Sequence, residues 1–137
     1  MIKIARAERK ERTELFQIVS TEMGVPAVIV EKDFWVCYVL DFLFNRSPFK
    51  NHLIFKGGTS LSKCYHLINR FSEDIDLILD WREIGYSNNM PWDERSNAKQ
   101  DRFKVETIER TNAYLSEIFV PNFHAALSSE LGYEIKI

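Results

Sequence analysis

The sequence predicts one α/β (α+β) domain, a mixed sheet flanked by helices, and three observations carry that prediction. Two long helical stretches, one in each half of the chain, are rich in aliphatic and aromatic residues. Between them lies a short apolar run, "HLIFK", stopped by Gly57-Gly58. A second run, "DIDLILD", alternates acidic and apolar residues with period two. With 137 residues the chain suffices for one compact domain and falls short of two of ordinary size. An apolar content of 45%, with ten Phe and three Trp, is enough to fill a core.

Composition narrows the function classes. A net charge of −2 and a pI of about 5.9 give no global basic field of the kind nucleic-acid binders often carry. Lys3, Arg6, Arg9, Lys10 and Arg12 cluster near the N-terminus, but Glu8, Glu11 and Glu14 interleave with them, as on a solvated mixed-charge helix. Cys37 and Cys64 form no CxxC pair, and no N-terminal apolar run reads as a signal peptide. No stretch reaches the roughly 18 apolar residues of a membrane span. A cytoplasmic protein with two free thiols and no membrane partner is expected. His52, His66 and His124 lack the spacing of a structural zinc site.

The elements follow in order. Residues 3 to 22 read as a charged amphipathic helix, ended by Gly24. Pro26 suits the first turn of a second helix that runs to about Phe44 and is apolar on most sides, so burial is expected. "NRSP" breaks it. His52 to Lys56 is a short buried strand, and from Thr59 or Ser60 to about Ile68 the pattern is helical. "DIDLILD" is the next strand. The polar, turn-rich residues 81 to 96 predict a mobile loop. A helix from 97 to about 120 and another from Pro121 to Leu131, closed by Gly132, complete the helical set. "YEIKI" begins to look like a strand.

The chemistry concentrates between Ile54 and Asp80. On a strand, Ile75, Leu77 and Leu79 point one way while Asp74, Asp76 and Asp80 point the other. Carboxylates at i and i+2 lie about 7 Å apart at Cα, close enough to lean onto shared divalent ions. Mg²⁺ or Mn²⁺ takes such oxygen ligands together with substrate phosphates. Gly57 and Gly58 let the backbone turn tightly and approach a ligand. They lead into a helix whose free N–H groups favour an anion. Thr59 and Ser60 are placed to cap that helix or bond a phosphate oxygen, and Lys63, a turn further on, to reach the same charge. A P-loop is excluded, because Ser62 precedes Lys63 and Cys64 follows it. Lys32 and Asp33 read as a cap or an ion pair of their own helix. Trp35, Phe42 and Phe44 read as core.

Taken together, "KGGTSLSKCYHLINRFSEDIDLIL" resembles motif I of the AbiEii/AbiGii-type nucleotidyltransferase toxins, in the DNA polymerase β-like nucleotidyltransferase superfamily. Their pattern is strand, GG[ST], helix, then RxSxDxD, with Arg70, Ser72, Asp74 and Asp76 in the last positions. "VEKDFW" and "SNAKQDRF" resemble flanking segments of the same family. The resemblance implies transfer of a nucleoside monophosphate from an NTP to a tRNA, other RNA or protein acceptor, in a toxin–antitoxin or phage-defence system with a cognate antitoxin. It implies Mg²⁺ (or Mn²⁺) on Asp74 and Asp76, and catalytic roles for Asp74, Asp76, Lys63 and Ser72. Gly57, Gly58, Thr59, Ser60, Lys63 and Arg70 would bind the nucleotide.

Relatives of this type are usually about twice as long and complete the metal site with a third carboxylate on a later strand. The chain therefore reads as a single nucleotidyltransferase-like domain, residues 1–137, corresponding to the N-terminal portion of that fold and incomplete at its C-terminus. Its parts are a helical region to about 46, the strand–helix–strand motif at 52–80, the loop at 81–96 and the helices at about 97–131. Glu134 on "YEIKI" is one candidate for the third acid, and that strand's edge is a route to a homo-oligomer. The alternative function is an inactive truncated remnant that binds a protein or a nucleotide.

Overall fold

The N-terminal charge pattern predicts one helix, but the chain makes two. The computed structural model describes residues 1–65 and 74–135, and in it this stretch forms α1 (Ile2–Arg6) and α2 (Arg9–Met23). Ala7 between them is extended, with ψ of 156°. The break lets Ala5 sink fully into the core. Arg12 answers the carbonyls it frees, its guanidinium donating to the oxygens of Ala5 and Ala7. Gly24 closes α2 in the left-handed conformation (φ 67°), which costs a glycine nothing.

α3 (Ala27–Asp41) starts just after Pro26 and runs on as a π-helical turn, Phe42–Arg46, two residues past the expected end. The Ser47 hydroxyl, buried, then takes the Leu43 carbonyl at 2.7 Å and stops it. Burial of this helix is as its composition predicts: Tyr38, Phe42 and Leu43 are at most 3% exposed.

β1 (Leu53–Lys56) pairs antiparallel with β2 (Asp76–Leu79), Leu53 opposite Leu79 and Lys56 opposite Asp76. Among the described residues these two strands are the whole sheet, so no parallel pair is seen where a mixed sheet is expected. α4 (Gly57–Lys63) leaves directly from the end of β1 and packs on both strands. On the covered side of the sheet Phe55 meets Phe44 from the turn after α3, ring centres 6.3 Å apart.

Residues 81–96, expected as a mobile loop, are tied down. Two 3₁₀ turns, Trp81–Ile84 and Met90–Trp92, stack Trp81 against Trp92 edge to face. The buried Tyr86 shares a 2.9 Å hydroxyl hydrogen bond with Thr107 on α5 (Asn97–Tyr114). Arg110, further along α5, donates to the Ile84 carbonyl. A second π-helical turn, Leu115–Phe119, leads into α6 (Val120–Leu131), and Gly132 (φ 81°) closes it. Pro121 falls in the first turn of α6, where its missing N–H is no loss.

The main core joins α1, α3 and α6 through Ala5, Tyr38, Phe42, Leu127 and Leu131. One polar group is buried with it. The fully buried Tyr38 donates its hydroxyl to Glu130 Oε1 at 2.6 Å, and Arg46 reaches the other Glu130 oxygen at 3.0 Å. Burial works to raise the Glu130 carboxyl, but its bonds from Arg46 and Tyr38 win and hold it below the ordinary value. Tyr38→Phe leaves Glu130 one donor short in this half-buried position. The variant is expected to unfold about 1–2 kcal/mol more easily in urea. An unchanged midpoint would mean water replaces the phenol at no cost.

The last described residues are not a strand. The Tyr133 hydroxyl donates to the Ala5 carbonyl, Ile135 packs on the main core, and the Ile135 N–H bonds the Ser128 hydroxyl. This segment is pinned to α1 and α6. The expected strand over 133–137 is absent as far as Ile135, because these helix-side partners take its polar groups.

Candidate functional site

The site begins where β1 ends. Gly57 takes φ of 78°, so the chain turns sharply into α4. Space there is spoken for: a Cβ on Gly57 would lie 1.9 Å from Oδ2 of Asp76, 2.7 Å from its Cγ and 2.9 Å from its Cβ. The Asp76 carboxylate is therefore seated on the Cα of Gly57. The open face of this glycine receives an acid of the protein itself, a relation that the sequence reading assigned to a ligand.

Thr59 and Ser60 follow in the first turn of α4, 2% and 6% exposed. Lys56 occupies the cap position and no side chain caps the helix, so neither hydroxyl plays the expected capping role. Thr59 instead donates its hydroxyl to the Asp74 carbonyl. That bond fastens α4 to the chain entering β2 and fixes where Asp74 stands.

The acids are placed as the alternation predicts. Asp74 and Asp76 are exposed, while Ile75, Leu77 and Leu79 are half-buried. Asp80 parts company with them. It lies past β2, accepts the backbone N–H of Arg82 at 2.9 Å and pairs with the Arg82 guanidinium, which holds its carboxyl at about 2. Asp80 caps the following 3₁₀ turn.

Lys63 reaches away from the glycine turn, toward α3. Its ammonium forms a half-buried ion pair with Asp33, the residue expected to pair within its own helix. Asp33 Oδ2 also lies 4.0 Å from Sγ of Cys37, one helical turn on. Burial pushes the Cys37 thiol up; Lys63 draws it down and Asp33 pushes it further up. Asp33→Asn removes the last of these, so the Cys37 pKa is expected to fall and its alkylation near pH 8 to quicken. The measurement is a rate of thiol modification in a Cys64→Ser background, since Cys64 is free and exposed. A slower or unchanged rate would show that Lys63 leaves with its partner.

Between α3 and the start of β2 lies an open cleft of about 590 Å³, lined by Val28, Trp35, Val36 and Val39 with Glu31, Lys32, Asp74 and Ile75. Its volume is in the range of small-molecule sites, and its walls are mostly apolar with few polar groups. Trp35 belongs to this wall as well as to the packing expected of it, since its ring also meets Phe34 and Tyr38. Sequence reading missed the part of α3 in the site. The signal was available in a helix that is apolar on most sides and yet carries Glu31, Lys32 and Asp33 in succession.

Arg70 and Ser72 lie outside the described residues. Among the described residues no group of three His, Cys, Asp or Glu side chains is placed to hold a metal ion, and Glu134 adds none. Asp74 and Asp76 nonetheless offer two exposed hard oxygen donors, Asp76 at the start of β2 and Asp74 just before it, a donor set that suits a single Mg²⁺ or Mn²⁺ whose other ligands would be phosphates and water. No described helix is long and apolar enough to cross a membrane.

The family model described as "Nucleotidyl transferase AbiEii toxin, Type IV TA system" matches residues 41–132, about two thirds of the chain. No curated protein and no solved structure matches.

Proposed function

The chain belongs to the AbiEii nucleotidyltransferase toxin family of type IV toxin–antitoxin systems, and on that premise we propose that it transfers a nucleoside monophosphate from an NTP to an RNA, tRNA or protein acceptor. Its helix-rich α+β architecture, with a small antiparallel sheet, agrees with a nucleotidyltransferase-like fold. The observation that carries the proposal is the Asp76 carboxylate lodged on Gly57, with Asp74 exposed two residues away beside the 590 Å³ cleft.

In this reading Asp74 and Asp76 hold Mg²⁺ or Mn²⁺ together with the triphosphate. When bound, such an ion supplies positive charge that polarises the phosphoryl oxygens and eases departure of pyrophosphate. The turn Gly57–Lys63 lies along the triphosphate. Gly58 contributes close backbone approach, and Thr59 contributes through its backbone, because its hydroxyl already holds the Asp74 carbonyl. Lys63 and Asp33 form the nearest fixed ion pair, and a polyanion arriving at the turn competes with Asp33 for the ammonium. Arg70 and Ser72, with Ser60, complete the set we assign to nucleotide and catalysis. The cleft along Trp35 takes the base or the end of the acceptor. The same reading takes the protein to act in the cytoplasm, with a cognate antitoxin encoded in its system.

The test is incubation with α-labelled NTPs, total RNA and protein, with Mg²⁺, with Mn²⁺ and with a chelator. Label is expected on one macromolecular class and only with the ion. A second reading, nucleotide binding without turnover, is favoured by one observation: no third acid joins Asp74 and Asp76 among the described residues. Calorimetric binding of NTP–Mg²⁺ with no transferred label would select it.

A further inference from the structure

α5 is the longest α-helix among the described residues, and the packing partners seen for it gather on one side. Its inner face holds Phe103 against Tyr86 (ring centres 5.0 Å), Thr107 on the Tyr86 hydroxyl, and the buried Tyr114. The other side carries Val105 and Ile108, 56% and 60% exposed, then exposed Asn112, and the row continues into Leu115, 38% exposed, the first residue of the π-helical turn that follows α5. The spacing 105, 108, 112, 115 is three, four, three, the a and d seam of a coiled coil. Val105 and Ile108 are each more than half exposed, and apolar residues in such a row mark an interaction surface.

We infer that this seam docks a second copy of the chain, with the two α5 helices parallel. Two features select that occupant. Asn112 falls at an a position, where a polar side chain meets its own copy and favours a parallel pair in register. With Val105 at a, Lys104 is at g and Glu109 at the following e, the two flanking positions that meet across a parallel pair. Both are exposed, and the Lys104 pair with Asp101, at 3.5 Å between side chains at least 64% exposed, is too solvated to compete strongly. Two-fold symmetry makes the Lys104–Glu109 contact twice. In an antiparallel pair g faces g and e faces e, so Lys104 and Glu109 never meet.

The seam is short. From Val105 to Leu115 it spans about 15 Å, less than a standard-sized interface uses, so a weak, readily reversible dimer is expected. This association is separate from the nucleotidyl-transfer reading and stands or falls without it.

Sedimentation equilibrium of the full chain from 5 to 500 μM is the test. The wild type should show a reversible monomer–dimer equilibrium. Lys104→Glu sets Glu against Glu twice and should weaken it about tenfold, as should Glu109→Lys. The double exchange Lys104→Glu/Glu109→Lys should restore it to within about threefold. All three positions are exposed, and circular dichroism will show the fold retained. Asn112→Cys, in a Cys64→Ser background, should cross-link as a disulfide dimer, because only a parallel seam brings the two copies of residue 112 together. A monomer throughout the range overturns the inference. So does a dimer indifferent to the charge exchanges.

Discussion

Asp76→Asn is expected to reduce nucleotide transfer by at least about a hundredfold, near 3 kcal/mol of transition-state stabilisation, while leaving the fold intact. The substitution keeps the shape that rests on Gly57 and removes only the charge. Asp76 is exposed, so loss of the carboxylate costs no buried ion pair, and unfolding should shift by less than about 0.5 kcal/mol. The catalytic loss should be larger because an amide is a poor ligand for a hard divalent ion. The check is a labelled-NTP transfer assay beside a urea melt, with metal titrated to separate a weakened ion site from a lost one. If excess Mn²⁺ restores the rate, Asp76 binds the ion. Transfer at the wild-type rate without rescue would remove Asp76 from the chemistry.

Gly57→Ala is expected to destabilise the protein by about 2–5 kcal/mol, from two separable causes. A φ of 78° costs an L-residue about 1–2 kcal/mol. The new methyl would also collide with three atoms of the Asp76 side chain, not only with its tip, so the whole side chain must swing away. Overpacking of that kind costs about 1–3 kcal/mol. A double-mutant cycle with Asp76→Gly divides the two: the collision vanishes in the double variant and the backbone strain stays. Coupling of about 1–2 kcal/mol is expected from the overlap. A cycle with no coupling would mean that Asp76 has ample room to move. Activity should fall with Gly57→Ala even at temperatures where it is folded, since the acid is displaced.

These two predictions also separate what was legible in the sequence from what was not. The period-two alternation of "DIDLILD" reappears as alternating exposure, Asp74 and Asp76 exposed and Ile75, Leu77 and Leu79 half-buried, because successive side chains along an extended chain such as β2 turn to opposite sides. Gly24 and Gly132 close helices by the same local logic, both left-handed and both read from the chain. The motif at residues 54–80 was specific enough to place the chain in its family, and the family model matches across it.

The partnerships within the site were not local. Gly57 meets Asp76 nineteen positions on, and Lys63 finds Asp33 thirty positions back. In each case the spacing admitted a ligand or an intrahelical partner equally well. The helix break at Ala7 was hidden for the same reason: nothing in "KIARAERKE" marks it, and it exists because Ala5 fits against Tyr38, Leu127 and Leu131 while Arg12 takes the freed carbonyls. Residues 133–135 could pair as a strand by composition, but hydrogen bonds to Ser128 and Ala5 hold them on the helices. Local periodicity determined which side chains face outward and where helices end. Which of those side chains meet was decided by tertiary packing, because residues distant in sequence are joined by the way the elements fill space, and no short-range pattern encodes that.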